Sequence, residues 1–502
     1  MADIQLTGLA ASDPVPGAYV DVQFAQGPAS LASSTDKVLF MGGMLSSGAG
    51  SASVVYGPDT TVPMTSADDA ALLFGNGSEL HRQIRRFMKM NPGTPVYAIA
   101  IAEGSSPSAA TGTITVATTA TGPGTLRIYV GDEFCDVGYA TGDTPTVIAG
   151  NAIVQINART HWPVTAANSA GVITITTKQK GLRANLTRYS ARMIPFTGTG
   201  STVTPVASTL MTGGTVSDDN TAALAVIVAQ KFYYIVPAAV DSTQLVRLLA
   251  QVTSQALPIN GIRQRIVWGS TDSLANTITI VDSLNAARGE VVWQLDGDVP
   301  GPELAAMLTA AFTLYEAPSV PRLNFNFYGQ ADGEPWGLKA PLAGTVPTRS
   351  QVSAALSAGV SPIGVQGPNA YLVKRVTNRY KTGAVLDYRI RDPHKVLISD
   401  RYADALIVKA SLQLSGKTIG DDPKKDEPAA GATVVTPRVV KAMIDGVTSF
   451  FDGNDLLQNV ATIKKYTVVL RDSGNKTRMG AHVPLQPVDI LDQLAFKVDQ
   501  VA

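Results

Sequence analysis

Short apolar runs alternate with helical patterns near the start of the chain. Residues 37–44 (KVLFMGGM) and 95–102 (PVYAIAIA) are apolar and bounded by glycine or proline, which is typical of buried strands. Between them, residues 78–90 (SELHRQIRRFMKM) place their apolar side chains on one side of a helix, and Pro92 lies beyond its end. Together these segments predict one β-α-β unit.

The same alternation returns after residue 218. Asp219 can cap a helix over 221–229, and strand-like and helical stretches then follow in turn. In chain order they are FYYIVPAAV, DSTQLVRLLAQVTSQ, RIVWGS, DSLANTITIVDSLNA, EVVWQLD and PGPELAAMLTAAFTLYE. Elements of these lengths in this order favour a mostly parallel sheet with helices on both faces. We therefore predict an α/β core formed by residues 25–104 and 216–345.

Residues 105–215 break this rhythm. Threonine and glycine dominate, and GTITVATTA, GTLRIYVG and GVITITTKQKG alternate apolar and polar residues between turn signals. One helix-like stretch, TVIAGNAIVQINART, interrupts them. The pattern predicts a β-rich domain inserted into a loop of the core, which is tolerated where the two ends of an insert lie close together.

A third, α+β region is predicted over residues 346–483. Up to Gly480 it carries 20 Lys and Arg against 12 Asp and Glu, a net charge of +8 in a chain that is neutral overall. Two amphipathic helices are predicted over 394–414 and 436–451, and the polar stretch 420–432 is predicted to be an exposed loop. The charge favours an acidic neighbour; the alternative is a solvated basic face that balances acidic patches elsewhere.

Both ends of the chain have the alternation of half-buried strands, and we predict terminal arms over residues 1–24 and 484–502. The apolar positions of these strands are Ala18, Val20, Val22, Phe24, Val488, Ile490, Leu494, Phe496 and Val498. Pro484 and Pro487 separate the second arm from the preceding region, as a linker would.

The energetics of such an arm are close to balance. Burying five apolar side chains gains on the order of 8–15 kcal/mol, whereas ordering a dozen residues costs roughly 12–24 kcal/mol in backbone entropy. Hydrogen bonds to an open sheet edge of another subunit would tip this balance toward binding. The alternative is that each strand completes the sheet of its own domain.

Composition limits the class of protein further. The 502 residues carry 40 Lys and Arg and 40 Asp and Glu, which argues against a nucleic-acid binder. Only 16% of the residues are charged, against about 25% in average globular proteins. Both a subunit with large contacts to other subunits and a Thr- and Gly-rich β protein have such a composition.

Cys135 is the single cysteine, so no internal disulfide can form. We expect neither a signal peptide nor a membrane span.

The sequence contains no pattern typical of catalysis, a cofactor or a metal. The four histidines, His81, His161, His394 and His482, lack the spacing of metal-binding motifs. No GxSxG pentapeptide is present for a hydrolase, and the GKT of SLQLSGKTIG lacks the first glycine of a phosphate-binding loop. We therefore expect a protein that is not an enzyme, with no catalytic residue, cofactor or metal.

Several segments, taken in order, resemble the contractile tail sheath proteins of Mu-type myophages. They are VPGAYVDVQF, GNGSELHRQIRRFMKMNPGTPVYAIAI, GDTPTVIAGNAIVQINA, HWPVTAANSAGVITITTKQKGLRAN, LMTGGTVSDD, NVATIKKYTVVLRDSG and PVDILDQLAFKVDQV. The resemblance extends over nearly the whole chain and depends on the order of these matches rather than on one motif.

This resemblance implies a fold and an assembly. The core would have a subtilisin-like fold without the protease residues, and residues 105–215 would form the protruding domain. Subunits would stack as six-membered rings in a helical sleeve around a tail tube, with the terminal arms adding strands to a sheet in neighbouring subunits. Residues 346–483 would face the tube, with Arg438 and Lys441 as candidates for contact with an acidic tube exterior.

The implied function is contraction of the sleeve, which drives the tube through the host envelope. Flexible joints are expected beside the arms, at 8–16 and 479–487. Further partners would be baseplate and tail terminator proteins, with no nucleic acid and no membrane insertion. The protein would reside in the virion tail, and in the host cytoplasm during assembly. Two other functions stay open: an α/β enzyme, and a non-contractile virion or surface adhesion protein with a β-rich insert.

Overall fold

The computed structural model describes residues 37–194, 204–239, 241–315, 338, 344–366, 369–387, 389–423, 431 and 433–489. The fold is mixed α/β with several separate sheets, as predicted. The candidate arm residues at 18–24 and 490–498, and the joint expected at 8–16, lie outside the described residues.

An eight-stranded sheet forms the centre of the molecule. In spatial order its strands are β15 (Asn369–Leu372), β14 (Ser361–Gln366), β13 (Gly289–Trp293), β12 (Arg265–Ser270), β11 (Tyr234–Pro237), β1 (Val38–Gly43), β3 (Val96–Ile101) and β2 (Val55–Tyr56). The six inner strands are parallel, with Val38 opposite both Val96 and Tyr234, and only the edge strands β2 and β15 run antiparallel. The buried strands predicted at 37–44 and 95–102 and the mostly parallel sheet are confirmed.

Successive residues of β1 point into two different apolar layers, which explains why this strand is apolar without alternation. Val38 and Phe40 pack with α1 (Ala67–Phe74), α2 (Glu79–Met90) and α7 (Gly301–Tyr315). Leu39 and Met41 pack with the helices of the opposite face. Those helices are α4 (Thr221–Ile227), α5 (Ser242–Gln255), α6 (Leu274–Leu284) and α8 (Arg349–Ser357).

The described residues between 109 and 210 form two further sheets around one apolar cluster. The first consists of β4 (Ala109–Thr115), β8 (Val172–Lys180) and β7 (Val164–Ser169), and the second of β10 (Val206–Leu210), β9 (Arg188–Ile194), β5 (Gly124–Val130) and β6 (Glu133–Tyr139). Helix α3 (Pro145–Asn157) packs against the same cluster, which includes Ile128, Ile148 and Ile175. The strands and the helix predicted from this Thr-rich stretch are confirmed.

The described residues of the last region, from 389 onward, contain three helices. They are α9 (Pro393–Leu414), α10 (Pro437–Asp452) and α11 (Val460–Tyr466), and the two helices predicted here are confirmed. Three small two-stranded sheets accompany them. These pair β16 (Lys381–Thr382) with β17 (Val385–Leu386), β18 (Thr418–Ile419) with β19 (Val434–Val435), and β20 (Val468–Arg471) with β21 (Met479–His482).

The joint expected at residues 479–487 is not found there. Met479–His482 form β21, and the chain is bonded again further on, where Gln458 N donates to Gln486 O at 2.9 Å and Val488 N donates to Leu456 O at 3.2 Å. These backbone hydrogen bonds hold the segment against its own region. Residues 479–488 therefore do not form the expected joint.

Candidate functional site

Side chains of residues 179–183, within the predicted insert, lie at the carboxyl edge of the central sheet. In open α/β sheets, ligands usually bind in a crevice at this edge. Here the crevice beyond β1 contains Gln179 and Arg183, two buried side chains from the inserted segment. A Cβ atom at Gly43, the last residue of β1, would lie 2.5 Å from Gln179 Nε2 and 2.8 Å from Arg183 Cζ. The absence of a side chain at Gly43 makes this close approach possible.

Arg183 joins the insert to the core through two buried carboxylates. Its Nη1 atom lies 2.8 Å from Glu79 Oε2 in the first turn of α2, and its Nη2 atom lies 2.5 Å from Asp218 Oδ2. Glu79 also accepts a hydrogen bond from Gly43 N at 3.0 Å. Burial raises the pKa of Asp218 although Arg183 opposes that shift. The crevice is thus filled by an ion-paired contact between two parts of the same chain.

A second set of ion pairs lies beside the first, between the start of α7 and the turn from β5 to β6. Arg86 contacts both Glu303 and Asp132, and Arg82 also contacts Glu303. Burial disfavours the charged form of Arg86, but Glu303 and Asp132 outweigh it and raise its pKa. These contacts fix the insert to the helices on one face of the core.

Glu133, at the start of β6, binds three further polar side chains where the insert meets α2. Its Oε2 atom accepts from Trp162 Nε1 and His161 Nε2, each at 2.7 Å, and Arg85 Nη1 lies 2.9 Å from Oε1. Burial alone would raise the pKa of Glu133, but the hydrogen bond from His161 and the charge of Arg85 lower it to about 2. The carboxylate is therefore ionised at neutral pH.

Helix α9 is bound to the amino edge of the sheet through arginine side chains. Arg288, just before β13, donates to both carboxylate oxygens of Asp400 at 2.8 Å. Arg263, just before β12, donates to Asp404 Oδ1 at 3.0 Å. Burial would raise the pKa of Asp400, but the adjacent arginines outweigh it and lower the pKa. One turn separates Asp400 from Asp404, so both carboxylates lie on the same face of α9.

The two candidate residues for tube contact lie on α10. Arg438 is exposed, and its backbone N donates to Asp422 Oδ1 at 3.0 Å. Lys441 is partly buried. Its Nζ atom donates a hydrogen bond to Lys464 O at 2.7 Å and lies 3.5 Å from Asp445 Oδ1. The contact with α11 adds Lys464 and the exposed Lys465 to the same surface. We call Arg438, Lys441, Lys464 and Lys465 the basic surface.

Lys464 and Lys465 were not among the residues singled out from the sequence. Lys464 Nζ donates to Ser449 Oγ on α10 at 2.6 Å, and Lys465 lies 5.4 Å from the ring centre of Tyr466. Their signal in the sequence is the lysine doublet in TIKKY. Its place beside Arg438 and Lys441 depends on the packing of α11 on α10, which the sequence does not show.

The hairpin β20–β21 presents two strand edges. Within the described residues, each strand pairs only with the other, from Val468 opposite His482 to Arg471 opposite Met479. Val469 packs against the apolar cluster of α9 and α10, whereas Ala481 and His482 are exposed. Among the described residues, the hairpin is thus fixed on one side, and the outer edges of its two strands have no strand partner.

The described residues contain neither a metal-binding cluster nor a membrane-spanning helix. No group of three or more His, Cys, Asp and Glu side chains could hold a metal there. Among the helices of the same residues, none has the length and apolar character needed to cross a membrane. The single cysteine, Cys135, is buried, which raises the pKa of its thiol to about 11.

Fold and site together define a multidomain α/β protein whose inserted β-rich segment fills the crevice at the carboxyl edge of its sheet. The chain is 23% identical over 484 residues to the Mu-like prophage FluMu tail sheath protein of Haemophilus influenzae, and the match covers 93% of each chain. This relative confirms the resemblance to the contractile tail sheath proteins of Mu-type phages. No family model matches the chain.

The chain is also similar to solved sheath structures. The sheath tail protein of Desulfitobacterium hafniense is 14% identical, with a TM-score of 0.47 over 95% of this chain and 97% of that one. The sheath tail protein of Listeria innocua is 13% identical, with a TM-score of 0.48 over 92% and 94%. The contracted PVC sheath complex of an extracellular contractile injection system is 10% identical, with a TM-score of 0.45 over 98% and 99%.

Proposed function

We propose that the protein is the structural subunit of a contractile phage tail sheath. Copies would stack as six-membered rings in a helical sleeve around the tail tube, and contraction of the sleeve would drive the tube through the host envelope. The tail sheath relative, matched over 93% of each chain, supports a structural role in a sheath. The observation that carries the assembly mechanism is the hairpin β20–β21.

A two-stranded hairpin is marginally stable by itself. The outer edges of β20 and β21 carry backbone N–H and C=O groups that an added strand can satisfy. The predicted arm at 18–24 and the part of the second arm beyond Asp489, at 490–498, have the alternation needed for that strand; Val488 itself is bonded to Leu456 of its own subunit. We infer that arms of neighbouring subunits pair with β20 and β21 and act as tethers between subunits.

The basic surface is the proposed contact with an acidic tube exterior. Its four cationic side chains lie on α10 and α11, whose packing brings together residues that are distant in sequence. Exposed charges attract an oppositely charged surface at short range, and salt screens them. Baseplate and tail terminator proteins are proposed as further partners at the two ends of the sleeve.

The ion pairs at both sheet edges suit a subunit that moves as one body. Arg183 and Arg86 hold the insert at the carboxyl edge, and Arg288 holds α9 at the amino edge. In our proposal the contacts between subunits change during contraction, whereas these ion pairs within the subunit persist. The extended sleeve is then a kinetic trap.

The tube sets the length of the sleeve in this proposal. Heterologous contacts between subunits that do not close into a ring produce an open helix, which has no length limit of its own.

Electron microscopy of the purified full chain tests the proposal. We expect hollow sleeves from the wild type and a folded monomer after Ile490, Leu494, Phe496 and Val498 are changed to Ser. The matched control changes Gln493 and Lys497 to Ser, on the other side of the predicted strand, and should form sleeves. Absence of sleeves from the wild type would favour the adhesion protein instead. Normal sleeves from the first variant would exclude the tether role.

In this proposal the protein resides in the virion tail and, during assembly, in the host cytoplasm. The subtilisin-like description of the core is part of the proposal, and the chain has no catalytic role in it. The domain limits of the proposal are 25–104 with 216–345 for the core, 105–215 for the insert and 346–483 for the tube-facing region.

A further inference from the structure

We propose that His394 is a positioning residue that anchors the root of the C-terminal arm, residues 486–489, to α9. Through α9, a pull on the arm would reach the central sheet. This inference depends on the proposed tether role of the arm and specifies where in the subunit the tether is fastened.

One side of the arm root is held by the segment that follows α10. Gln458 N donates to Gln486 O at 2.9 Å, and Val488 N donates to Leu456 O at 3.2 Å. The Gln458 side chain adds two hydrogen bonds, from Nε2 to Pro487 O at 2.9 Å and to Asp489 Oδ2 at 3.2 Å. Four bonds from this side therefore converge on four consecutive residues.

The other side is held by the first turn of α9. His394 Nε2 lies 3.0 Å from Val488 O, and the His394 side chain is buried, with His394 only 1% exposed. Lys395 Nζ lies 2.5 Å from Asp489 Oδ1. Because a carbonyl oxygen only accepts, the imidazole must carry its proton on Nε2. Burial lowers the pKa of His394 although Asp392 and Val488 O oppose that shift, so the ring stays neutral at physiological pH.

The same helix is fastened to the sheet within three turns of His394. Arg265, the first residue of β12, donates from Nη2 to Pro393 O at 2.9 Å, one residue before His394. Further along, Asp400 binds Arg288 at the start of β13 and Asp404 binds Arg263. A hydrogen-bonded helix with ion pairs to rigid strands transmits a displacement of its first turn to the sheet.

Two substitutions at His394 separate the hydrogen bond from the packing. In the full chain, His394→Phe keeps a ring but removes the donor, whereas His394→Gln places an amide N–H at a similar reach. Lys409→Gln, on an exposed part of the same helix, is the matched control. Amide hydrogen exchange is measured on the monomer over 486–489, with α10 as internal reference, and sleeves are then counted and their diameters measured by electron microscopy.

We expect His394→Phe to raise exchange at 486–489 by about tenfold with α10 unchanged, and to yield fewer sleeves with scattered diameters. His394→Gln and Lys409→Gln should match the wild type in both measurements. If exchange in α10 also rises, Gln458→Ala replaces His394→Phe, because Gln458 is exposed and its loss opens the root from the other side.

Two results would overturn the inference. One is unchanged exchange at 486–489 in His394→Phe and in Gln458→Ala. The other is faster exchange with sleeves identical to the wild type, which would show that the anchor does not position the arm. If the wild type forms no sleeves at all, the proposed function is wrong, and the exchange measurement alone then decides whether His394 holds the root.

Discussion

Arg183 Nη1 and Glu79 Oε2 lie 2.8 Å apart, with both side chains almost completely buried, although the two residues are 104 positions apart in sequence. Arg183 belongs to the inserted segment, and Glu79 opens α2 of the core. Removing one partner of a buried pair leaves a charge without compensation. The pair is thus the most direct probe of how the insert is held.

We expect Arg183→Met to lower the free energy of unfolding by about 3–5 kcal/mol, because Glu79 and Asp218 then lose their cation. Urea denaturation followed by fluorescence measures the effect. The double variant Arg183→Met/Glu79→Gln should recover part of the loss, since fewer uncompensated charges stay buried. A double variant no more stable than the single one would show that the pair does not act as a unit.

Gly43→Ala tests the close approach of the insert to β1. The new methyl group would meet Gln179 and Arg183, and Arg183 cannot yield because two carboxylates hold it. We expect a loss of about 1–3 kcal/mol in the free energy of unfolding, measured by thermal denaturation. Gly150→Ala in α3 is the control, because nothing lies within 4 Å of its Cβ position. That change should be neutral or stabilise the helix by up to about 1 kcal/mol.

The contrast between Arg183 and the strand at 37–44 shows what the sequence can predict. Strand β1 and helix α2 follow from local patterns of apolar residues, which need no knowledge of distant contacts. The partners of Arg183 depend on a pairing across the whole inserted segment. In the sequence, Arg183 and Glu79 look like ordinary solvated charges, so the filled crevice could not be predicted.

The net charge of the 346–480 region gives a second example. Its +8 counts every basic residue alike. In the structure Arg375 and Arg401 are buried, at 8% and 4% exposure, and Arg375 contacts Glu290 of the core. Part of the positive charge therefore serves the contact with the sheet. Which lysines reach the surface depended on the packing of α10 and α11, and the count alone does not contain that information.

Asp400→Asn should release α9 from the sheet. Asparagine lacks the charge that compensates Arg288, so we expect a loss of about 3–5 kcal/mol in the free energy of unfolding. Asp452→Asn, at the exposed end of α10, should change it by less than about 0.5 kcal/mol. Denaturation of both variants under the same conditions checks this, and equal stabilities would contradict a structural role for the Asp400 pair.

The double variant Lys464→Gln/Lys465→Gln should weaken attachment of the sleeve to the tube. Exposed ion pairs contribute up to about 1 kcal/mol each, so we expect about fivefold weaker binding per subunit at low salt. The difference should shrink as salt is raised, because the screening length falls to about 8 Å at physiological ionic strength. Co-sedimentation with purified tubes measures binding, with Lys89→Gln on α2 as the control. Equal binding of both variants would exclude the basic surface as the tube contact.

His81 makes the stability of the fold depend on pH between about 4 and 6.5. Its Nδ1 accepts a hydrogen bond from Gly77 N at 3.0 Å. Burial, aided by the charges of Arg85 and Arg82, lowers its pKa from 6.5 to about 4. In this window the unfolded chain binds a proton that the folded chain does not. The free energy of unfolding therefore falls as the pH is lowered, by about 3 kcal/mol in total.

The variant His81→Asn isolates this effect. Asparagine keeps an acceptor near the position of Nδ1 but cannot titrate, and the carboxylates that titrate nearby are common to both proteins. The difference in free energy of unfolding between wild type and His81→Asn, measured by urea denaturation at several pH values, should therefore change by that amount between pH 7 and pH 4. A difference that is constant across this range would show that His81 takes up its proton equally in the folded and unfolded chains.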